Sequence, residues 1–258
     1  MRLNKIALAL SLAALALPMT AFAQDATAEA TAEQNESPAA EAPAEEASSN
    51  LSWNLSLTSD YVFRGITQTN FDPALQGGLD YAFGDSGWYV GGWASNVDFA
   101  DSDGPDIEFD AYVGWSHDLA EDWNLDLHAV RYTYLGEREV YGNIDYNEYF
   151  AKFSYKGQYD FTVAYANNYA NADFSSLYYQ VAGSWDVGND FAVNAGVGHT
   201  NFSDHVGGYT DWNLGVSRQF GPVNIGLNYY DTTGNYVDAV FGSHKASDQF
   251  VVTFAFGG

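Results

Sequence analysis

Charged side chains in this sequence fall at alternate positions, inside stretches otherwise made of apolar and small polar residues. Asp60, Asp80, Glu108, Asp110, Asp126, His128, Glu148, Lys152 and Asp160 share the polar phase of such stretches, and Arg64 stands just past the first of them. If that phase points into an enclosed space, these ten residues face one another there and line it. Rings of carboxylates select ions by sign and favour cations. Acids outnumber bases in this set, so the chemistry expected is a narrow, weakly cation-selective passage for small cationic or neutral solutes. The rival use of the same residues is pairing. Arg64 and Lys152 set against facing carboxylates would plug the space, because buried charges require partners, leaving a structural or adhesive barrel that acts through its outer loops.

Other reactive groups are sparse. The five histidines are His117, His128, His199, His205 and His244. Barrel lipid hydrolases place a Ser and a His near the outer rim on the lipid side, with the Ser activated by its neighbour. His199 falls on the outward phase near Asn201 and Ser203, but the chain contains no His-x-Ser pair, so catalysis is not expected. The acidic stretch Asp98, Asp101, Asp103, Asp106 offers carboxylate oxygens of the kind calcium takes, without the spacing of an EF-hand loop. It reads as a solvated outer loop, with divalent bridging to lipopolysaccharide as a second option. No cofactor and no resident metal are expected. The chain has no cysteine, which excludes a disulfide framework. With 9 basic against 34 acidic residues, it lacks the basic surface that nucleic acid requires.

The elements that must position these residues are strands. From Leu51 onward the sequence alternates with period two: Leu51, Trp53, Leu55 and Leu57 against Ser52, Asn54, Ser56 and Thr58 is the first instance. Tyr159–Ala166, Asp211–Ser217 and Val223–Tyr230 repeat it. Such alternation gives a strand one apolar and one polar face. Twelve segments follow, near 51–62, 74–83, 87–98, 106–117, 122–134, 145–156, 158–169, 176–186, 190–200, 208–219, 222–231 and 247–256. Each is long enough to cross a bilayer at a tilt, which takes about 9–11 residues. Connections alternate between short turns, such as Lys156-Gly157, and longer loops, the longest being 232–246. Short turns on one side and longer loops on the other are the habit of membrane barrels. The fold expected is therefore all-β: a transmembrane antiparallel up-and-down β-barrel of about twelve strands, with both termini periplasmic. Aromatic residues at strand ends, among them Trp53, Trp88, Trp123, Tyr159, Trp185 and Phe220, would form the periplasmic interfacial girdle.

Two segments precede the barrel. Residues 1–23 read as a secretory signal peptide: Arg2 and Lys5, an apolar run from Ile6 to Leu17, and an Ala21-Phe22-Ala23 cleavage site. Residues 24–50 hold seven acids, no base and no aromatic residue, a composition expected of a disordered periplasmic segment. At the other end, Gln249–Phe256 alternates and closes on an aromatic, resembling the signal read by the outer-membrane assembly machinery, although Gly257 and Gly258 follow it. Location in the outer membrane of a Gram-negative bacterium, among its lipid and lipopolysaccharide, is the expectation.

The most distinctive stretch is Ser59-Asp60-Tyr61-Val62-Phe63-Arg64-Gly65-Ile66-Thr67-Gln68-Thr69. Pro73, Gln76-Gly77-Gly78-Leu79-Asp80-Tyr81 and Gly91-Gly92-Trp93-Ala94-Ser95 follow it. This series resembles the TorF-family porins, also known as the conserved proteobacterial Gcw_chp family. The likeness is strong over residues 51–118 and loosens to a barrel texture through 256. It implies an outer-membrane barrel with a porin label. It brings no catalytic residue and no substrate.

Overall fold

Alternating side chains make each wall segment a strand with an apolar outer and a polar inner face, and the turns between them set the order. The structure is a computed structural model that describes residues 50–99, 104–136, 141–204, 206–234 and 244–258. Residues 1–23, expected to be a leader, nearly all of the 24–50 segment, Asp101, Asp103, His205 and most of the 232–246 loop lie outside the described residues.

In chain order the strands are β1 (Leu51–Thr58), β2 (Val62–Phe63), β3 (Ile66–Thr67), β4 (Ala74–Ala82), β5 (Trp88–Asn96), β6 (Pro105–Ala120) and β7 (Trp123–Gly136). Then come β8 (Tyr146–Tyr155), β9 (Tyr159–Ala166), β10 (Ser176–Gly188), β11 (Phe191–Phe202), β12 (Gly207–Phe220), β13 (Val223–Thr233) and β14 (Gln249–Gly257). Twelve of them form one closed antiparallel barrel, while β2 and β3 form a separate two-stranded sheet. Sequence neighbours pair all the way round, and β1 closes on β14 with Leu55 opposite Phe256 and Thr58 opposite Thr253. Gly257 and Gly258 are part of that seam. Trp53 donates its backbone N–H to the Gly258 carbonyl at 2.8 Å and accepts one from Gly258 at 3.1 Å.

The wall is apolar on the outside. Leu57, Leu79, Val113, Leu127, Phe161, Val181, Leu214 and Leu227 are all exposed. A water-soluble protein does not leave a continuous apolar belt of this kind bare, and a closed barrel has no unpaired edge to expose to lipid. The fold is a transmembrane β-barrel. Aromatic residues gather at both rims. On the short-turn side Trp123, Tyr155, Tyr159 and Trp185 follow one another in ring contact. On the other side Trp212, Tyr229 and Phe250 do the same, a second girdle that strand alternation alone does not single out.

The short turns are tight because their residues accept positive φ. Lys156 and Gly157 both lie there, at 55° and 60°, within the three-residue connection Lys156–Gln158 between the paired Tyr155 and Tyr159. The expected strand bounds match within a few residues, with one instructive exception. Alternation predicts a first segment running to 62, followed by an outer loop. The wall strand instead stops at Thr58, and Tyr61 and Phe63 are buried inside the barrel. They continue the apolar phase of β1, so period two cannot tell a longer wall strand from a chain that turns inward.

Candidate functional site

The segment that turns inward is a hairpin of two residues per strand, with Val62 opposite Thr67 and Phe63 opposite Ile66. Arg64 and Gly65 form its tip, both at positive φ, 45° and 79°. That conformation is costly for a side chain, and a buried arginine held in it marks a place where structure and use are linked. Gly65 has no alternative, because a Cβ there would sit 2.3 Å from Thr232 Cγ2 on β13.

Asp60 ties the base of the hairpin. Its Oδ1 accepts hydrogen bonds from the hydroxyls of Thr67 at 2.6 Å and Thr69 at 2.7 Å. Burial pushes the Asp60 carboxyl above its ordinary value, and these hydrogen bonds offset part of that rise. Further out, Asp98 donates its backbone N–H to the Gln68 carbonyl at 2.8 Å, and Thr67 donates to the Lys245 carbonyl at 3.3 Å. Lys245 in turn donates to the Phe99 carbonyl at 2.8 Å.

The tip reaches the far wall. Arg64 Nη1 and Nη2 donate to Glu148 Oε1, each at 3.1 Å, and Nη2 also donates to Oε2 at 3.1 Å. The guanidinium lies over the Tyr178 ring, 4.0 Å from its centroid, and 4.4 Å from that of Phe63. Tyr132 donates its hydroxyl to Glu148 Oε2 at 3.3 Å, and Tyr178 donates to Asp211 Oδ1 at 3.2 Å. Among the described residues, Asp211 Oδ2 and Arg64 Nε are buried without a hydrogen-bond partner. Phe63, Ile66, Tyr132, Tyr146, Tyr169, Tyr178 and Phe174 are all buried around this contact. Tyr169 comes from a single helical turn, Tyr169–Asn171, folded over the same end of the barrel. The long-loop half of the lumen, the outer half in the expected orientation, is filled.

The inner half is built differently. Its inward residues are half-buried and polar: Asp80, Tyr89, Tyr112, Asp126, His128, Lys152, Asp160, Gln180, Asn194 and Asn228. Two tyrosines lie flat against the wall over glycines. A Cβ at Gly91 would meet the Tyr112 ring at 2.4 Å, and one at Gly114 would meet the Tyr89 ring at 2.2 Å. Each then reaches an acid: Tyr112 donates to Asp80 at 2.6 Å and Tyr89 to Asp126 at 2.9 Å. His128 Nδ1 sits 2.5 Å from Asp126 Oδ1, and Lys152 Nζ 3.9 Å from Asp160 Oδ2.

All ten residues singled out by sequence thus lie on the inner side of the wall or on the hairpin, in two groups. Asp60, Arg64, Glu108, Asp110 and Glu148 are buried in the outer half. Asp80, Asp126, His128, Lys152 and Asp160 surround the inner vestibule. Glu108 stands opposite Ser95 and Tyr134, and Asp110 opposite Trp93 and Tyr132. Sequence reasoning missed the tyrosines that orient the acids, and Asp211. The available signal was a glycine facing a tyrosine across adjacent inward phases, Gly91 with Tyr112 and Gly114 with Tyr89. Elsewhere, His199 faces outward and its Nδ1 lies 2.8 Å from Thr210 Oγ1, with the Tyr179 ring alongside. Among the described residues no cluster of three or more His, Cys, Asp or Glu side chains has the arrangement of a metal site.

Residues 41–256 match a family described as a bacterial protein of unknown function, Gcw_chp. The chain belongs to this family. No curated protein matches it. Among solved structures it is similar to the NanC porin, at 10% identity over 80% of this chain and 97% of that one, with a TM-score of 0.49. It is also similar to the KdgM porin, at 4% identity over 80% and 97%, TM-score 0.46. LpxR from Salmonella typhimurium follows at 11% identity over 80% and 99%, TM-score 0.44. At this level the likeness says nothing of what the lumen of this Gcw_chp barrel does.

Proposed function

We propose that this Gcw_chp protein is a porin-like channel of the Gram-negative outer membrane, closed on its outer side by the 59–73 segment. The observation that carries the reading is the independence of wall and plug. The twelve-stranded barrel closes its hydrogen bonds on itself, and the β2–β3 hairpin belongs to a different sheet. Removing the hairpin from the lumen therefore breaks the Arg64 contact with Glu148 but none of the strand-to-strand hydrogen bonds that close the wall. Behind it lies a polar, water-accessible vestibule, as a solute path requires.

The vestibule carries Asp80, Asp126 and Asp160 against Lys152 and His128, which favours cationic and neutral solutes over anions. The short-turn rim is the periplasmic one in this reading, with both termini there, as loop lengths in membrane barrels favour. Export through the 1–23 leader, delivery by the outer-membrane assembly machinery, contact with lipopolysaccharide and the TorF porin label belong to the same proposal. No catalytic step is part of it.

Planar-bilayer recording tests the reading. The native protein is expected to show rare openings, and a variant with residues 61–68 replaced by a short Gly/Ser turn is expected to conduct steadily and to prefer cations in a salt gradient. A variant that forms a barrel on a heat-modifiability gel yet passes no current would support the second reading, a permanently filled structural barrel, which the near-complete burial of Arg64 favours.

A further inference from the structure

We propose that the wall residues around Arg64 form a recognition site for guanidinium-bearing small solutes, and that Arg64 occupies this site in the closed barrel as an internal competitor. The inference rests on the channel reading and adds a solute class and a trigger to it.

The site and its occupant come from different parts of the molecule. Glu148, Tyr178, Tyr132 and Asp211 stand on β8, β10, β7 and β12, all strands of the closed wall. Arg64 comes from the hairpin, which is not. The wall residues also hold one another: Tyr132 bonds Glu148, and Tyr178 bonds Asp211. The slot is therefore defined by contacts that do not involve Arg64.

Its shape selects a planar cation. A carboxylate receives two nitrogens of one fork, and an aromatic face lies 4.0 Å from the guanidinium carbon. Guanidinium satisfies both contacts at once, whereas an ammonium, compact and strongly hydrated, satisfies neither as well. Its charge leaves room for a ligand. Two carboxylates, Glu148 and Asp211, border the slot against one guanidinium, and Asp211 Oδ2 is buried with no hydrogen-bond partner among the described residues. Arg64, tethered through a turn at positive φ, leaves its own Nε unpaired. A free guanidinium is not bound by that tether. Its entry would displace Arg64, and the tip of the plug with it, so binding of the solute and opening of its path are one event.

The test compares the native protein with Arg64→Ala, each shown to be a barrel by heat-modifiable migration, using guanidinium chloride and methylammonium chloride at millimolar concentrations. Two readouts are taken, bilayer current and the temperature of the gel-shift transition. Guanidinium is expected to block the Arg64→Ala current and raise its transition temperature, with a half-effective concentration roughly tenfold below that of methylammonium, the ratio given by about 1.4 kcal/mol of preference. The native protein, whose slot is filled, should show neither effect at that concentration and should open only at higher guanidinium, where the solute competes with Arg64; methylammonium should not open it there. Equal effects of the two cations, or equal effects on the two proteins, overturn the site. If Arg64→Ala conducts but ignores guanidinium, the site falls and the channel stands. If it conducts nothing, the rest of the hairpin still fills the lumen; the 61–68 replacement then decides the channel reading and the thermal shift decides the site. Should Arg64→Ala not fold, Arg64→Lys keeps the charge without the planar fork, and the same guanidinium-against-methylammonium shift decides.

Discussion

Arg64 and Glu148, 84 residues apart in sequence, meet through three hydrogen bonds of 3.1 Å inside the outer half of the barrel. Both side chains are almost wholly buried, at 1% and 0% exposure. Such a pair stabilises less than its geometry suggests, because each charge first loses its water. Removing one partner is different, since the other is left buried and bare. Glu148→Gln is expected to cost roughly 3–5 kcal/mol of closed-plug stability. The double variant Arg64→Ala/Glu148→Gln should recover a large part of that loss. The measurement is urea unfolding followed by gel mobility for the two single variants and the double. Simple additivity of the single losses would mean that the two groups do not act as a pair.

Asp60 gives the plug a pH dependence. Burial raises its carboxyl above the ordinary value of 3.8 in the folded hairpin. The closed form therefore binds the proton more tightly than a released hairpin would. That contribution to closure is complete below the ordinary value and is lost as pH rises through the higher value of the closed form. Open probability in a bilayer should thus rise as the solution is made less acidic. In Asp60→Asn, where no proton is exchanged, this part of the slope should vanish. An Asp60→Asn channel with the native pH profile would exclude Asp60 as its source.

Gly65 is the point at which the plug can be loosened without touching the wall. Its φ is 79°, and a methyl group at this position would come within 2.3 Å of Thr232 Cγ2, so no side chain fits. Gly65→Ala should weaken the closed plug by about 1–3 kcal/mol through backbone strain and crowding. The barrel itself should keep its heat-modifiable migration, while bilayer openings become more frequent. Unchanged opening would mean that the tip does not control the path.

The wall was readable because its code is local. Leu55 against Ser56, or Leu214 against Asn213, is enough to orient a strand, and a closed sheet follows from many such strands in up-and-down order. The inward phase of Asp80, Glu108 and Asp126 came with it. The plug was not readable in the same way. Tyr61 and Phe63 keep the phase of β1, and what sends them inward is a turn at Ser59-Asp60 fixed by Thr67 and Thr69. The partner of Arg64 depends on barrel curvature bringing β8 opposite β1, which no spacing in the chain records. A two-residue Arg-Gly between Phe63 and Ile66 was the one local hint of a hairpin. An arginine at a position that favours asparagine or aspartate hid it.

Leu214 and Asn213, adjacent on β12, separate a membrane barrel from a soluble one most directly. Leu214 lies in mid-strand and faces outward at 53% exposure. Asn213 faces inward, with its side-chain oxygen over Gly196 of β11. On the surface of a water-soluble barrel Leu214→Arg would be nearly neutral, and the crowded inward position would be the sensitive one. In a bilayer the order reverses. An arginine on the lipid face near the midplane costs about 2–4 kcal/mol, whereas one in a polar lumen has water and carboxylates to meet. Folding into lipid vesicles, followed by urea unfolding, should therefore rank Leu214→Arg well below Asn213→Arg in stability. The reverse ranking would remove the membrane from the account and, with it, the channel that the plug closes.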